Sequence, residues 1–353
     1  MKLMKKAVAL LLVALMTMSL FVGCAKDKNK TLDPKEVVMV VGETDVTMNI
    51  ANFFVRYNQS MMEAMYTQYI GPDVWMTEVE KGVTYEDSLK DSLLEELQKM
   101  YIVTNHVADY KVELTEEETK AIETTADAFI AENKDEAAQA KVSADKDTVV
   151  AYLTLHTLNE KMGKAMRADV DTTVTDEQAA QKRMRYFEIS KSETLDDGST
   201  MEMSDKEIKA AQKEAKEFLK GAKANGSMEV YATEKEKETK TLAFAADSTA
   251  LDEKVIKAAD KLKENEFSEV IETETGIYVV QLESEFDKDA TESNKATVLT
   301  KRQEARYEEL VEKWTKDTKV TVHEKVWDKI SVQGLKVNYV EDEKEETEEK
   351  TEE

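Results

Sequence analysis

The sequence predicts an α+β protein: a discontinuous, mostly helical domain interrupted by a small α/β domain. Three observations predict it. Four long stretches between Asn49 and Arg167 place apolar residues at three-and-four spacing, the period of an amphipathic helix. From about Gln181 the texture changes to short extended runs alternating with helical ones. After that module, Ala296 to Trp314 reads as a helix and Thr318 to His323 as a strand, each with an apolar side that needs a partner. The helical region at the other end of the chain supplies one, so the α/β module reads as an insertion. With 353 residues and 41% hydrophobic content, the chain is long enough for two cored domains.

The N-terminus reads as a processing signal. Lys2, Lys5 and Lys6 precede an uncharged apolar run from Ala7 to Val22, shorter than the roughly 20 residues a membrane-spanning helix needs. Residues 1–23 therefore read as a signal peptide. The run ends in Phe21-Val22-Gly23-Cys24, which resembles the lipobox of bacterial lipoproteins, with Phe21 where Leu is usual. Gly23 suits the cleavage site, and Cys24 would carry the lipid, diacylglycerol on its thiol and palmitate-like acylation on its amine. The expected place is the extracytoplasmic face of the cell membrane. Cys24 is the only cysteine, so no disulfide is expected, although export would permit one. Loss of Lys2, Lys5 and Lys6 with the leader would take the formal charge from −25 to −28. Such a chain does not attract nucleic acid or anionic headgroups by net charge, and the lipid must hold it to the membrane. Residues 24–35 are polar and lysine-rich, a tether, and residues 341–353 form an acidic tail too polar to fold.

Residues 36–180 make the N-terminal part of the helical domain. Val37 to Val41 reads as a strand, Gly42-Glu43 as a turn and the stretch to Met48 as a second strand; helices are expected over Asn49–Tyr69, Thr84–Tyr110, Thr115–Asn133 and Lys146–Arg167. Thr115 with Glu118 and Thr175 with Gln178 fit the capping box, in which two side chains satisfy each other's orphan backbone donors. Only Pro34 and Pro72 occur, which suits long helices. The first helix carries Phe53, Phe54, Tyr57, Met61, Met62, Met65, Tyr66 and Tyr69. Helical spacing makes such a stripe a core face; soft, adaptable side chains also suit a groove for many unfolded chains. Both readings stand at this stage.

Residues 181–285 make the module. Met184 to Ile189 reads as a strand, and Ser204 with Glu207 opens a helix bearing Ile208, Ala211, Ala215, Phe218, Leu219 and Ala222, with Gly221 and Gly226 at its end. Thr239–Ala245 is extended, Leu251–Leu262 helical, Glu269–Glu272 a short strand, and Ile277–Leu282 a longer one after the Thr275-Gly276 turn. Residues 286–340 return to the helical domain.

This order resembles the extracytoplasmic foldase lipoproteins of the PrsA type, related to SurA-type chaperones, in which a parvulin-type prolyl isomerase domain interrupts a helical chaperone domain. Leu251, Val255, Ala258, Leu262, Asn265-Glu266, Phe267 and Ser268 fall at the spacing of that family's helix and Gly-Glu step, and Gly276-Ile277-Tyr278-Val279-Val280 at its closing Gly-Tyr-His strand. The resemblance implies a fold of that kind and a proline pocket of Leu251, Val255, Leu242 and Phe244. Its two facing histidine positions hold Tyr186 and Tyr278, the candidate catalytic pair. Thr239-Lys240-Thr241-Leu242-Ala243 stands where the family has Gly-Gly-Asp-Leu-Gly, keeping only Leu242, and Glu234 or Glu236 is the nearest acidic residue before it. The implied function is a membrane-anchored folding factor for newly exported, unfolded polypeptides. A holdase without turnover and, further off, a substrate-binding lipoprotein are the alternatives. His106, His156 and His323 lack a second ligand at metal spacing. No phosphate loop, nucleophile elbow or His-Glu-x-x-His motif occurs. No metal or cofactor is expected.

Overall fold

The computed structural model describes residues 18–19, 32–194, 199–333 and 338–339. The expected signal peptide but for residues 18–19, Cys24, most of the expected tether and the acidic stretch 341–353 lie outside the described residues. The chain divides into two compact units, residues 1–169 with 305–353, and residues 170–304.

The first unit starts with β1 (Val37–Val41) and β2 (Thr44–Thr47), an antiparallel pair turned at Gly42, whose φ of +64° favours glycine. α1 (Met48–Tyr69) follows, then a 3₁₀ turn (Val74–Met76), a small hairpin of β3 (Glu78–Glu80) and β4 (Val83–Thr84), and α2 (Tyr85–Thr104). α3 (Glu116–Glu132), α4 (Glu136–Val142) and α5 (Lys146–Met166) complete this stretch. Thr84 with Asp87 and Thr115 with Glu118 cap α2 and α3 reciprocally. The α1 stripe divides along its length. Phe53 and Phe54 are buried, with Phe53 edge-on to Phe129 and Tyr152, whereas Met61, Met65 and Tyr69 stand 46%, 49% and 80% exposed.

The second unit begins with one capped turn, α6 (Asp176–Ala179), and leads through β5 (Lys182–Ser190), the pair β6 (Ser192–Thr194) and β7 (Thr200–Glu202), α7 (Asp205–Asn225) and α8 (Met228–Glu234). Next come β8 (Lys240–Phe244), α9 (Glu253–Asp260), β9 (Ile271–Glu272) and β10 (Gly276–Ser284). Its antiparallel sheet has the order β9-β10-β5-β8. Alternate residues of each strand leave for opposite faces. Phe187, Ile277 and Val279 pack with α7 and α8, and Met184, Tyr186, Tyr278, Val280 and Leu282 pack with α9. The expected helix over Leu251–Leu262 is shorter, because the Asp252 side chain accepts from the Lys254 backbone amide and starts α9 there.

The chain returns through α10 (Lys288–Asp317), β11 (Val320–Val322) and one turn, α11 (Glu324–Trp327). α10 begins eight residues before the expected Ala296. Asp287 caps it by accepting from the Ala290 amide, and the Thr291 hydroxyl accepts from the Gln181 amide. β11 pairs with β1, giving the first unit a sheet of order β11-β1-β2. Trp314 and Trp327 join the core of Phe53, Leu97 and Tyr152. His106 stacks on Trp314, His156 lies beside Tyr152, and the His323 ring nitrogen is 3.0 Å from the Val37 carbonyl.

Candidate functional site

The α9-side face of the second sheet gathers the predicted residues. Tyr186 lies opposite Val280 in the β5–β10 register, so Tyr278, two residues before Val280, is its diagonal neighbour on the same face. Their ring centroids are 6.2 Å apart at 46°. Leu242, Phe244, Leu251 and Val255 belong to the same apolar cluster. Phe244 and Val255 are sealed at 1% and 0% exposure, while Leu242 and Leu251 are half-buried. Leu242 and Leu251 thus lie nearest the surface, over a packed layer of Phe244 and Val255, and the two tyrosines are themselves buried. Glu234 ends α8 and Glu236 follows at φ +51°, both exposed. Cys24 lies outside the described residues.

Local sequence fixes Tyr278. The Thr273 hydroxyl accepts from the Thr275 and Gly276 amides and closes the turn into β10. A Cβ on Gly276 would stand 3.0 Å from the Tyr278 ring, so any other residue there would make the ring shift by a few tenths of an ångström. Further back, Asn265 stands where the family has glycine and adopts φ +66°, a conformation asparagine tolerates better than most residues.

Two residues join the site that the sequence did not single out. The Tyr278 hydroxyl donates to Glu188 Oε1 at 2.8 Å, and Lys240 Nζ donates to Glu188 Oε2 at 2.9 Å. The signal was there: Glu188 is two residues beyond Tyr186 on one strand, and Lys240 is directly opposite Tyr186 on β8. Burial pushes the Tyr278 hydroxyl up to about 12, and the bond to Glu188 adds to the shift; burial also raises Tyr186. Both phenols therefore stay protonated donors at neutral pH. No hydrogen bond of the Tyr186 hydroxyl is found among the described residues.

Residues 184–293 match the family model of the PPIC-type PPIASE domain. No curated protein matches the chain. Among solved structures, the chain is similar to the foldase protein PrsA of Lactococcus lactis, at 15% identity over 83% of this chain and 97% of that one, TM-score 0.31. It is also similar to PrsA of Streptococcus pneumoniae, at 21% identity over 72% and 97%, TM-score 0.30. A SurA-like chaperone structure from Campylobacter jejuni aligns at 8% identity over 82% and 99%, TM-score 0.30. The α+β class with a parvulin-type domain expected from the sequence is the one observed.

Rotation about an X-Pro bond crosses a barrier of about 20 kcal/mol and takes roughly tens of seconds unaided. Catalysis needs neither nucleophile nor metal, only contacts that favour the twisted amide over the planar one. A twisted imide regains a nitrogen lone pair, and a phenol O–H can donate to it. The Tyr186 hydroxyl has no hydrogen-bond partner among the described residues, whereas the Tyr278 hydroxyl is held by Glu188.

Proposed function

We propose that this protein is a membrane-anchored, extracytoplasmic folding factor, held by lipid on Cys24, that binds newly exported polypeptides. In this reading the parvulin-like unit receives their proline-containing segments on the Tyr186–Tyr278 face, and isomerises them slowly. The observation that carries it is the meeting of Tyr186 and Tyr278 on one face above Leu251 and Val255, inside a domain matched to PPIC-type isomerases. The exposed Met61, Met65 and Tyr69 of α1, with Met76 and Val79 after it, support contact with unfolded chains, because large apolar side chains grouped on a surface mark interaction sites.

The second reading, a holdase without turnover, is favoured by the Tyr278–Glu188 bond and the sealed floor. Isomerisation of a proline peptide by the processed protein separates the two: a rate that falls in the Tyr186→Phe variant supports turnover. No acceleration, with aggregation of an unfolded client still suppressed, supports the holdase. For the anchor, Cys24→Ala should release the protein into the medium or leave it unprocessed. A processed Cys24→Ala protein still on the membrane would end that part.

A further inference from the structure

α7 carries a second surface, away from the tyrosines. Lys206, Lys209, Lys213, Lys216, Lys220 and Lys223 recur at intervals of three and four, which puts all six on one side of the helix. All six are exposed, and 17 residues of rise spread them over about 26 Å. Glu207 and Glu214 fall on the other flank, whereas Asp205 shares the lysine side at the first turn and Glu217 stands beside Lys213, so the lysine side is free of acidic residues through the last two turns. Only Lys213 and Lys223 have partners, Glu217 at 3.7 Å and Glu269 at 3.0 Å; the other four form no ion pair among the described residues. In a chain of net charge −25, a row of six lysines, four of them without an ion pair among the described residues, runs against the overall field.

The row borders a groove. Lys216, Lys220 and Lys223 rise on one side of a cavity of about 480 Å³, Leu219 and Val270 line it, and Glu269 stands opposite. Glu269 and Val270 lead into β9, the terminal strand of its sheet, and a sheet edge offers main-chain groups to an added strand. An apolar floor, a cationic wall and a strand edge are three features that one extended polypeptide uses together. A bilayer does not fit as well: an interfacial helix shows its apolar residues outward between its lysines, whereas Ala211, Ala215, Phe218 and Ala222 of α7 are buried against the sheet.

We propose that the α7 lysine row and the β9 edge form a docking groove for an extended, acidic polypeptide segment with interspersed apolar residues. This site lies on the α7 side of the sheet and does not depend on turnover at the tyrosines. It gives a strongly acidic protein one place where acidic chains are attracted instead of repelled.

The test is fluorescence anisotropy of the intact protein with a labelled twelve-residue peptide alternating Glu and Leu, and with its Lys and Leu counterpart. The Glu peptide should bind better than the Lys peptide, and its affinity should fall as salt is raised. The triple variant Lys209→Gln, Lys216→Gln, Lys220→Gln should lose about tenfold or more, from several charge pairs acting together, while Lys257→Gln with Lys261→Gln at the C-terminal end of α9 should change nothing. The triple Lys→Arg variant should retain binding. Equal affinity in the wild type and the Gln triple, equal affinity for the two peptides, or loss in both the Gln and Arg triples overturns the proposal. So does binding of phosphatidylglycerol vesicles through these lysines without binding of the Glu peptide, which would make a lipid surface the occupant.

Discussion

On β5 and β10, alternate residues leave for opposite faces, and the two faces are built from different chemistry. Toward α7 and α8, Phe187 stacks on Phe218 with centroids 4.1 Å apart, Ile277 and Val279 are fully buried, and Gln281 holds the α7–α8 link through the Gly226 carbonyl and Met228 amide. Toward α9, the same strands place two phenols and a carboxylate over an apolar floor, and Lys240 of β8 adds an ammonium. One face is satisfied when it is filled; the other keeps polar groups where a filled core would do without them. Burying such groups costs stability unless they are paired, and their presence on the α9 side agrees with the function proposed for it.

The largest test of this contrast is Phe187→Ala against Tyr186→Phe, adjacent residues on opposite faces. The first should destabilise the second unit by about 3–5 kcal/mol, the cost of emptying an aromatic site. The second should cost below about 1 kcal/mol, since the Tyr186 hydroxyl gives up no protein partner. Urea melts followed by circular dichroism read both. Comparable losses would break the division.

Gly221→Ala sharpens the same contrast on the packing face. Helix propensity alone favours alanine by about 1 kcal/mol. A Cβ there would sit 2.0 Å from the Tyr231 ring, which itself packs edge-on to Phe218 at 5.4 Å. Tyr231 must leave its place, so a net loss of about 1–3 kcal/mol is expected, and Tyr231→Ala in the same chain should recover part of it. A stabilised Gly221→Ala protein would mean that Tyr231 moves freely.

Much of this was legible in the sequence, and the rest fails for identifiable reasons. The capping boxes at Thr115, Thr175 and Ser204 mark true helix starts, because the cap is a local code. The meeting of Tyr186 and Tyr278 on one face follows from the strand order that the resemblance implies together with alternation along each strand, not from alternation alone. α4 and α8, seven residues each, are too short to show a period. The early start of α10 depends on Asp287 and on Thr291 receiving the Gln181 amide 110 residues away, a tertiary cap that periodicity cannot report. Gly221, read as a helix end, lies inside α7 and makes room for Tyr231; only Gly226, at φ +84°, ends the helix. Glu188 was missed because a charged residue near the end of a strand reads as solvated until its partner is seen.

Glu188→Gln should have a smaller effect on folding than either core change. It weakens the contacts that Tyr278 and Lys240 make with the carboxylate, at about 1–2 kcal/mol. Its value lies in the rate: if Glu188 keeps the Tyr278 hydroxyl from substrate, the variant should isomerise proline peptides faster or bind them more tightly, and Tyr278→Phe should not. Slower turnover in Glu188→Gln would instead make Glu188 a positioning residue that the site needs.

The smallest expected effect is the absence of one, and it separates this face from a histidine pair. An imidazole titrates near 6.5, so a site built on two of them changes charge between about pH 5.5 and 7.5. Here the corresponding groups are phenols that burial drives upward, Tyr278 to about 12 and Tyr186 in the same direction. A raised phenol pKa keeps the neutral, donating form across the whole range below it, and the proton is lost only as pH climbs toward that value. Binding of a proline peptide, and any isomerisation, should therefore vary less than about twofold between pH 6 and 9, measured at fixed ionic strength so that the lysine row on α7 does not enter. A sigmoid centred near pH 6.5 that persists in the Tyr186→Phe, Tyr278→Phe double variant would show that neither phenol governs the site.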